Sequence, residues 1–247
     1  MPCFNEGARI ASSLATLESW FGTAVDVLVI DDGSADDTSE QAARFAGGHP
    51  QVRVHRLASH RGKGAAIRAA IPLIRSERAL FVDADLAFDE TSMKAALDAL
   101  QTAAIAVGNR RHHHSYYVAP VRLFWFLYRR HLLGIVFNGF VRRLLGLKLR
   151  DTQCGMKAYR RSCLETIAPW LTIDGFAIDV EILLIAAALG VPVVEVPVRV
   201  RYESAKSSVA IAASGGAMIA DIVRIAIRRA RGRYSRISRQ AASSISV

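Results

Sequence analysis

Val25-Asp26-Val27-Leu28-Val29-Ile30 runs directly into Asp31-Asp32-Gly33-Ser34. A β-branched apolar run that stops on two acids and a glycine reads as a buried strand meeting a turn. Ahead of it, Glu6–Trp20 places Ile10, Leu14 and Leu17 on one helical stripe. Behind it, Ser34–Asp37 can cap a helix running to Phe45. Val52–Leu57 then alternates as a strand, Gly62–Ile74 follows as a helix, and Ala79–Val82 is a second buried strand ending at Asp83. Thr91–Leu100 reads as a helix and Ala103–Val107 as a strand. Strand and helix alternating in this way imply an α/β architecture, a mostly parallel sheet flanked by helices. Ligands bind such sheets beyond the carboxyl ends of the strands. Asp31, Asp32, Asp83 and Asp85 all fall there and are expected to converge on one crevice.

The second half is less regular. Pro120–Leu145 is a long helical stretch rich in Phe, Trp, Leu and Arg, Phe176–Leu189 is an apolar helix, and Val191–Val200 is a strand. Val209–Arg231 is a last helix, apolar first and arginine-rich later. These readings divide the chain into a catalytic domain over 1–206, including an amphipathic helix at 120–145, and a basic amphipathic helix with a tail over 207–247. The polar tail Arg236–Val247 is expected to fray.

The 247 residues carry 32 Lys and Arg against 22 Asp and Glu, and the excess sits in two places. Between Ala99 and Arg150 there are nine basic residues and no acid, and from Arg224 onward seven arginines and no acid. A slightly acidic body with two basic segments points to an anionic docking surface, either nucleic acid or a bilayer. With 51% hydrophobic and 22% charged residues, the chain is a packed globular protein, not a disordered or collagen-like one. Cys3, Cys154 and Cys163 form no C-x-x-C pair, which argues for a reducing compartment and against structural zinc. No charged-then-apolar signal peptide opens the sequence, and none of its stretches reads as the roughly 20 apolar residues of a membrane span. His131–Val141 is too short, and Ser207–Ala220 is poor in large side chains.

Asp83-Ala84-Asp85 places two carboxylates two residues apart at a strand end. Mg²⁺ and Mn²⁺ prefer hard oxygen ligands, and diphosphates share such ions with one or two protein carboxylates. The plainer alternative is a strand-end turn held by side-chain-to-backbone bonds. A second acid pair, Asp31 and Asp32, suited to accept hydrogen bonds from a nucleobase or ribose, favours the metal reading. His60-Arg61-Gly62-Lys63-Gly64 opens a helix but lacks the full spacing of a P-loop. Its glycines permit close backbone approach, and Lys63 and Arg68 are placed to face an anion. The His112-His113-His114 run is read as a mobile polar loop in preference to a metal site.

Taken in order, Pro2-Cys3-Phe4-Asn5-Glu6, Val29–Ser34, Arg61–Arg68 and Asp83–Asp85 resemble the motifs of family 2 glycosyltransferases. Arg150–Lys157 and Phe176–Glu181 look like the branch that contains the dolichyl-phosphate β-glucosyltransferases. The resemblance covers about residues 1–206. It implies a GT-A fold, a nucleoside-diphosphate sugar donor, Mg²⁺ or Mn²⁺, and a polyprenyl or dolichyl phosphate acceptor. UDP-glucose is favoured over other UDP-hexoses and UDP-N-acetylhexosamines. Pro2, Asn5, Glu6, Asp31 and Asp32 then fall in the nucleotide pocket, bordered by Lys63 and Arg68. Asp83 and Asp85 match the metal and diphosphate motif. Arg110 and Arg122 are placed for anion contacts, Asp151 and Gln153 where acceptor and sugar meet, and Asp179 and Glu181 on a supporting helix. Asn109 stands where serine is usual, and Ala87 offers no side-chain ligand. Family members carry an apolar strand before the Pro-x-x-Asn-Glu motif, and some an apolar N-terminal anchor. Met1 is therefore expected to be internal to a longer protein and the sheet to lack a central strand.

A lipid phosphate is already an anion, so it can attack the anomeric carbon without a strong base. In-line attack predicts inversion, from an α-linked donor to a β-linked lipid phosphosugar, with the departing diphosphate neutralised by metal and arginine. Transfer to a sugar or protein hydroxyl would instead need Asp151 or Asp179 as base. A basic nucleic-acid-binding module is disfavoured by the acids, so no nucleic-acid partner is expected, and a homo-oligomer is left open. The two basic stretches are expected to hold the enzyme peripherally on an anionic membrane, at its cytoplasmic face.

Overall fold

The computed structural model describes residues 1–202 and 211–237. The expected division at 206/207 and most of the polar tail lie outside them. In chain order the elements are β1 (Pro2–Cys3), α1 (Gly7–Phe21), β2 (Val27–Asp31), α2 (Thr38–Ala46), β3 (Val52–Arg56), α3 (Lys63–Ala70) and β4 (Arg78–Phe81). There follow α4 (Glu90–Asp98), β5 (Ile105–Asn109), β6 (Tyr116–Val118), α5 (Phe124–Leu145), β7 (Lys157–Arg160), α6 (Arg161–Ile167), α7 (Ile178–Ala188), β8 (Val193–Pro197), β9 (Arg199–Arg201) and α8 (Ile211–Ala230).

The first three strands form a parallel sheet in the order β1-β2-β3, and a second sheet runs β4-β7-β5-β8. The expected stripe of α1, Ile10, Leu14 and Leu17, is buried against the first sheet's core. α7 is buried almost all round, from Ile178 to Ala186, as its nearly unbroken apolar sequence requires. Gly62–Ile74 is shorter than expected as an α-helix: α3 stops at Ala70 and Pro72 continues in a 3₁₀ turn.

Two features depart from the sequence reading. Val191–Val200 is not one strand but two, because β8 follows β5 as far as Pro197 and β9 then pairs with β6. Proline has no N–H to continue a ladder, which suits it to that break. β7 enters antiparallel between β4 and β5, with Ala158 opposite both Leu80 and Ala106. It carries Lys157, the end of the Arg150–Lys157 motif, and the residues after it into the middle of the sheet. That insertion brings the motif beside the carboxyl ends of β4 and β5.

Candidate active site

The Pro2–Glu6 segment is stitched to the turn after β2. Asn5, at φ 54°, donates its backbone N–H to Ser34 Oγ (2.9 Å) and accepts from the Ala35 N–H (2.9 Å). The Glu6 N–H donates to Thr38 Oγ1, and its carboxylate pairs with Arg9. Pro2 is half-buried in β1. Asp31 is fully buried and uses Oδ1 to hold Ser34; its Oδ2 has no hydrogen bond and lies 3.6 Å from Arg56 Nε. Asp32 holds the next loop, accepting from the N–H groups of Arg61 and Gly62 and standing 2.8 Å from His60 Nδ1. The His60 ring stacks on Phe4 at 3.7 Å. Gly62 is at φ 114°, and a Cβ there would strike the Asp174 carbonyl, so that close approach requires glycine.

From this loop Lys63 reaches across to the other strand end. Its Nζ lies 2.8 Å from Asp83 and 3.6 Å from Asp179, while Lys157 holds the other Asp179 oxygen at 2.9 Å. Burial alone would lower the Lys63 pKa, but the two carboxylates outweigh it and hold the ammonium above its ordinary value. Asp179 is held below the ordinary carboxylate value: burial opposes this, and Lys157 and Lys63 outweigh it. Asp85 is open to solvent, and its carboxyl titrates above the ordinary value, from partial desolvation and from Asp83 beside it. A Cβ on Gly155 would collide with the Asp83 carboxylate, so the Arg150–Met156 segment packs directly against this pair. Among the described residues no group of three or more His, Cys, Asp or Glu could hold a metal. Two adjacent hard oxygen donors, Asp85 exposed and Asp83 partly so, suit a divalent cation that takes its remaining ligands from a diphosphate.

The far side of the segment is cationic. Asp151, 1% exposed, takes a bidentate bond from Arg110 (Nε to Oδ2 2.7 Å, Nη2 to Oδ1 2.9 Å) and a third from the Arg110 N–H. Burial would raise its pKa, yet Arg110 brings it from 3.8 to about 2. Arg110, Arg111, Tyr117, Leu127, His131 and Gly134 line a small pocket closed by Asp151 and Tyr202. His131 Nδ1 lies 3.4 Å from the Tyr117 hydroxyl, and burial, with Arg111 and Arg110 nearby, lowers its pKa. Gln153 Nε2 is buried between the two halves with no hydrogen-bond partner.

The structure thus brings together Asp31, Asp32, Lys63, Asp83, Asp85, Arg110, Asp151, Gln153 and Asp179. Other expected residues serve different ends. Arg68 is spent on Asp174 and the Ile173 carbonyl. Arg122 is exposed before α5 and makes no hydrogen bond or ion pair among the described residues. Glu181 is fully buried, accepts from Thr172 and Ile173, and draws in Arg228 and Tyr234 of the C-terminal segment. His113 and His114 are exposed in a turn where the three histidine rings lie against one another. Sequence reasoning missed Arg111, Tyr117, His131 and Lys157. Lys157 closes the Arg150–Lys157 motif, which assigns it no role; the other three carry no signal beyond residue type, since none belongs to a motif.

Residues 1–168 match the model of glycosyl transferase family 2. The chain belongs to that family and is a glycosyltransferase. It is 31% identical to dolichyl-phosphate β-glucosyltransferase of Dictyostelium discoideum, over 92% of this chain and 73% of the relative. It is 37% identical to the human enzyme of that name, over 80% of this chain and 65% of the relative. Among solved structures, glucosyl-3-phosphoglycerate synthase from Mycobacterium tuberculosis in complex with UDP superposes with a TM-score of 0.62 at 21% identity, covering 91% of this chain and 78% of that one. The same synthase with Mn²⁺, UDP-glucose and phosphoglyceric acid gives 0.60 at 19%. The fold is GT-A.

Proposed function

We propose that this enzyme transfers glucose from UDP-glucose to a polyprenyl phosphate with inversion, working as a peripheral protein on the cytoplasmic face of a membrane. The observation that carries the reading is where the cationic pocket lies. Arg110, Arg111 and His131 share it with Leu127 and Gly134 of α5, the helix that turns Trp125, Leu133 and Val136 into solvent at 67–72% exposure. An acceptor with an anionic head and an apolar tail fits that combination. The names of the relatives support dolichyl phosphate and glucose, and the complexes of the structural neighbour support a UDP-sugar with Mn²⁺.

Asp85 and Asp83 would hold Mn²⁺ or Mg²⁺ together with the diphosphate, and the ion would supply neutralisation of the departing group's charge. Lys63 adds a fixed positive charge at the same strand end. Asp31, Asp32 and the Phe4–His60 stack form the wall for the nucleoside, with Pro2, Asn5 and Glu6 at its edge. Arg110, held rigid by Asp151, and Arg111 orient the acceptor phosphate toward the anomeric carbon. Gln153, whose buried amide nitrogen lacks a partner, suits a sugar hydroxyl between the two. A hydroxyl acceptor would need a base, and neither carboxylate considered for it is suited. Both oxygens of Asp151 are taken by Arg110 and its pKa is about 2; Asp179 is clamped by two lysines. Arg111→Met and His131→Ala should each raise KM for polyprenyl phosphate by about tenfold and leave KM for UDP-glucose near its starting value. A change in the donor KM alone would contradict this assignment.

A further inference from the structure

α3 begins without a cap of its own. Its first residue, Lys63, follows Gly62, which has no side chain to accept from the N–H groups of the first turn. The acceptor comes instead from residues 172–175, far along the chain. The Asp174 carbonyl accepts from the Gly64 N–H (2.6 Å) and the Ala65 N–H (3.2 Å), and the Ile173 carbonyl accepts from Arg68 Nη1 (2.6 Å). The approach is close: a Cβ on Gly64 would lie 2.3 Å from the Ile173 carbonyl oxygen, so the contact requires glycine. Lys63 projects from this turn, with its Nζ 2.8 Å from Asp83.

Residues 172–175 are gripped in turn by α7 and the C-terminal segment. Glu181 of α7 is fully buried. Its Oε2 accepts from the Thr172 N–H (2.8 Å) and the Ile173 N–H (2.9 Å), and its Oε1 from Thr172 Oγ1 (2.5 Å). A buried carboxylate needs a counter-charge, and α8 supplies one. Arg228 Nη1 lies 3.7 Å from Glu181 Oε1 and donates to Thr172 Oγ1. The Tyr234 hydroxyl donates to the same Glu181 oxygen at 3.4 Å. Earlier in α8, Asp221 stands so near Gly175 that a Cβ there would fall 2.6 Å from its Oδ2.

We propose that α8 sets the position of Lys63 through these contacts. Arg228 and Glu181 are positioning residues that hold residues 172–175 against the first turn of α3, and so fix the ammonium at the acid pair. The inference rests on the donor-side role given to Lys63 above. A lysine stem is flexible, so its charge meets a diphosphate at a set distance only if the backbone at its base is fixed. Arg228 acts through the carboxylate and hydroxyl it contacts, not on the substrate.

The test uses the full chain, unaltered and as Arg228→Met and Arg228→Lys, with Thr172→Val as a second route to the same bonds. Hydrogen exchange at the Gly64 and Ala65 amides reads the turn whatever the substrate is. Arg228→Met and Thr172→Val should each speed it at least about fivefold, with exchange at Ile30 unchanged, and Arg228→Lys should restore most of the protection. Calorimetry with UDP and Mn²⁺ reads the site. Arg228→Met should raise Kd about five- to tenfold, leave KM for polyprenyl phosphate unchanged, and add nothing in a Lys63→Met background. A lowered Tm with exchange at Gly64 and Ala65 unmoved would overturn the proposal, as would an equal loss of UDP affinity when Lys63 is already replaced. Failure of the unaltered enzyme to bind UDP with Mn²⁺ would overturn the donor reading instead, and the exchange rates would still decide whether α8 sets the turn that carries Lys63.

Discussion

Asp83 and Asp85 are two residues apart and have different neighbours. Asp83 is bound by Lys63 and pressed by Gly155, while Asp85 faces the cleft with a raised pKa. A cation held there relieves a repulsion that the protein alone leaves in place. Asp85→Ala should therefore lower kcat by about two to three orders of magnitude, and EDTA should do the same to the unaltered enzyme. Full turnover in EDTA would remove the ion from the account. Asp151 makes a second test, of stability. Its carboxyl is held at about 2 in the folded protein against an ordinary 3.8, so its contribution is complete above the higher value and is lost as pH falls toward the lower. Asp151→Asn should cost about 2–3 kcal/mol near neutrality, the low end for a buried pair because Arg110 stays partly exposed. The difference from the unaltered protein should shrink between about pH 4 and about pH 2, as followed by urea unfolding. The acid pairs were legible because strand-end spacing announces them. Asp151's bond to Arg110 was not, since 41 residues separate the partners and no local pattern links them.

The two basic amphipathic stretches looked alike in the sequence and differ as elements. α5 buries Val141 and Leu145 near its end but leaves Phe124, Trp125, Leu133, Val136 and Phe140 exposed. α8 buries Ile222 and Ile225 and turns Arg228 toward Thr172 and Glu181, and Arg229 to the Leu144 carbonyl. Those two arginines brace the protein, so a membrane role rests mainly on α5, with Ile219, Val223 and Ile227 of α8 as exposed additions. Among the described residues no helix is long and apolar enough to cross a membrane. Exposed apolar groups between arginines fit the headgroup boundary instead. The paired change Leu133→Asp and Val136→Asp should weaken cosedimentation with anionic liposomes at least about tenfold, and high salt should weaken it further by screening. Unchanged cosedimentation would leave α5 without that role. β7 escaped the sequence reading for an electrostatic reason. A four-residue strand beginning with Lys157 looks exposed, and its burial is made tolerable by the Cys154 carbonyl and by the charge of Asp179, 22 residues on.

At the scale of the whole molecule, alternation of strand and helix foretold the sheet, its helices and the convergence of acids at the strand ends. It did not foretell that β7 would run antiparallel, nor that the motif before it would divide an acidic cleft from a cationic pocket. Strand direction and long-range charge pairing are tertiary facts that a period-two pattern does not encode. Under the proposed function, that division would let a diphosphate-bearing donor meet a phosphate-bearing acceptor without a general base. The most direct measurement supplies labelled UDP-glucose and Mn²⁺ with two acceptors in parallel, a polyprenyl phosphate and the corresponding polyprenol. Label should enter an organic-extractable, acid-labile product with the phosphate alone, and its anomeric proton should show a β configuration coupled to phosphorus. Transfer to the polyprenol at a comparable rate, or an α-linked product, would contradict the account.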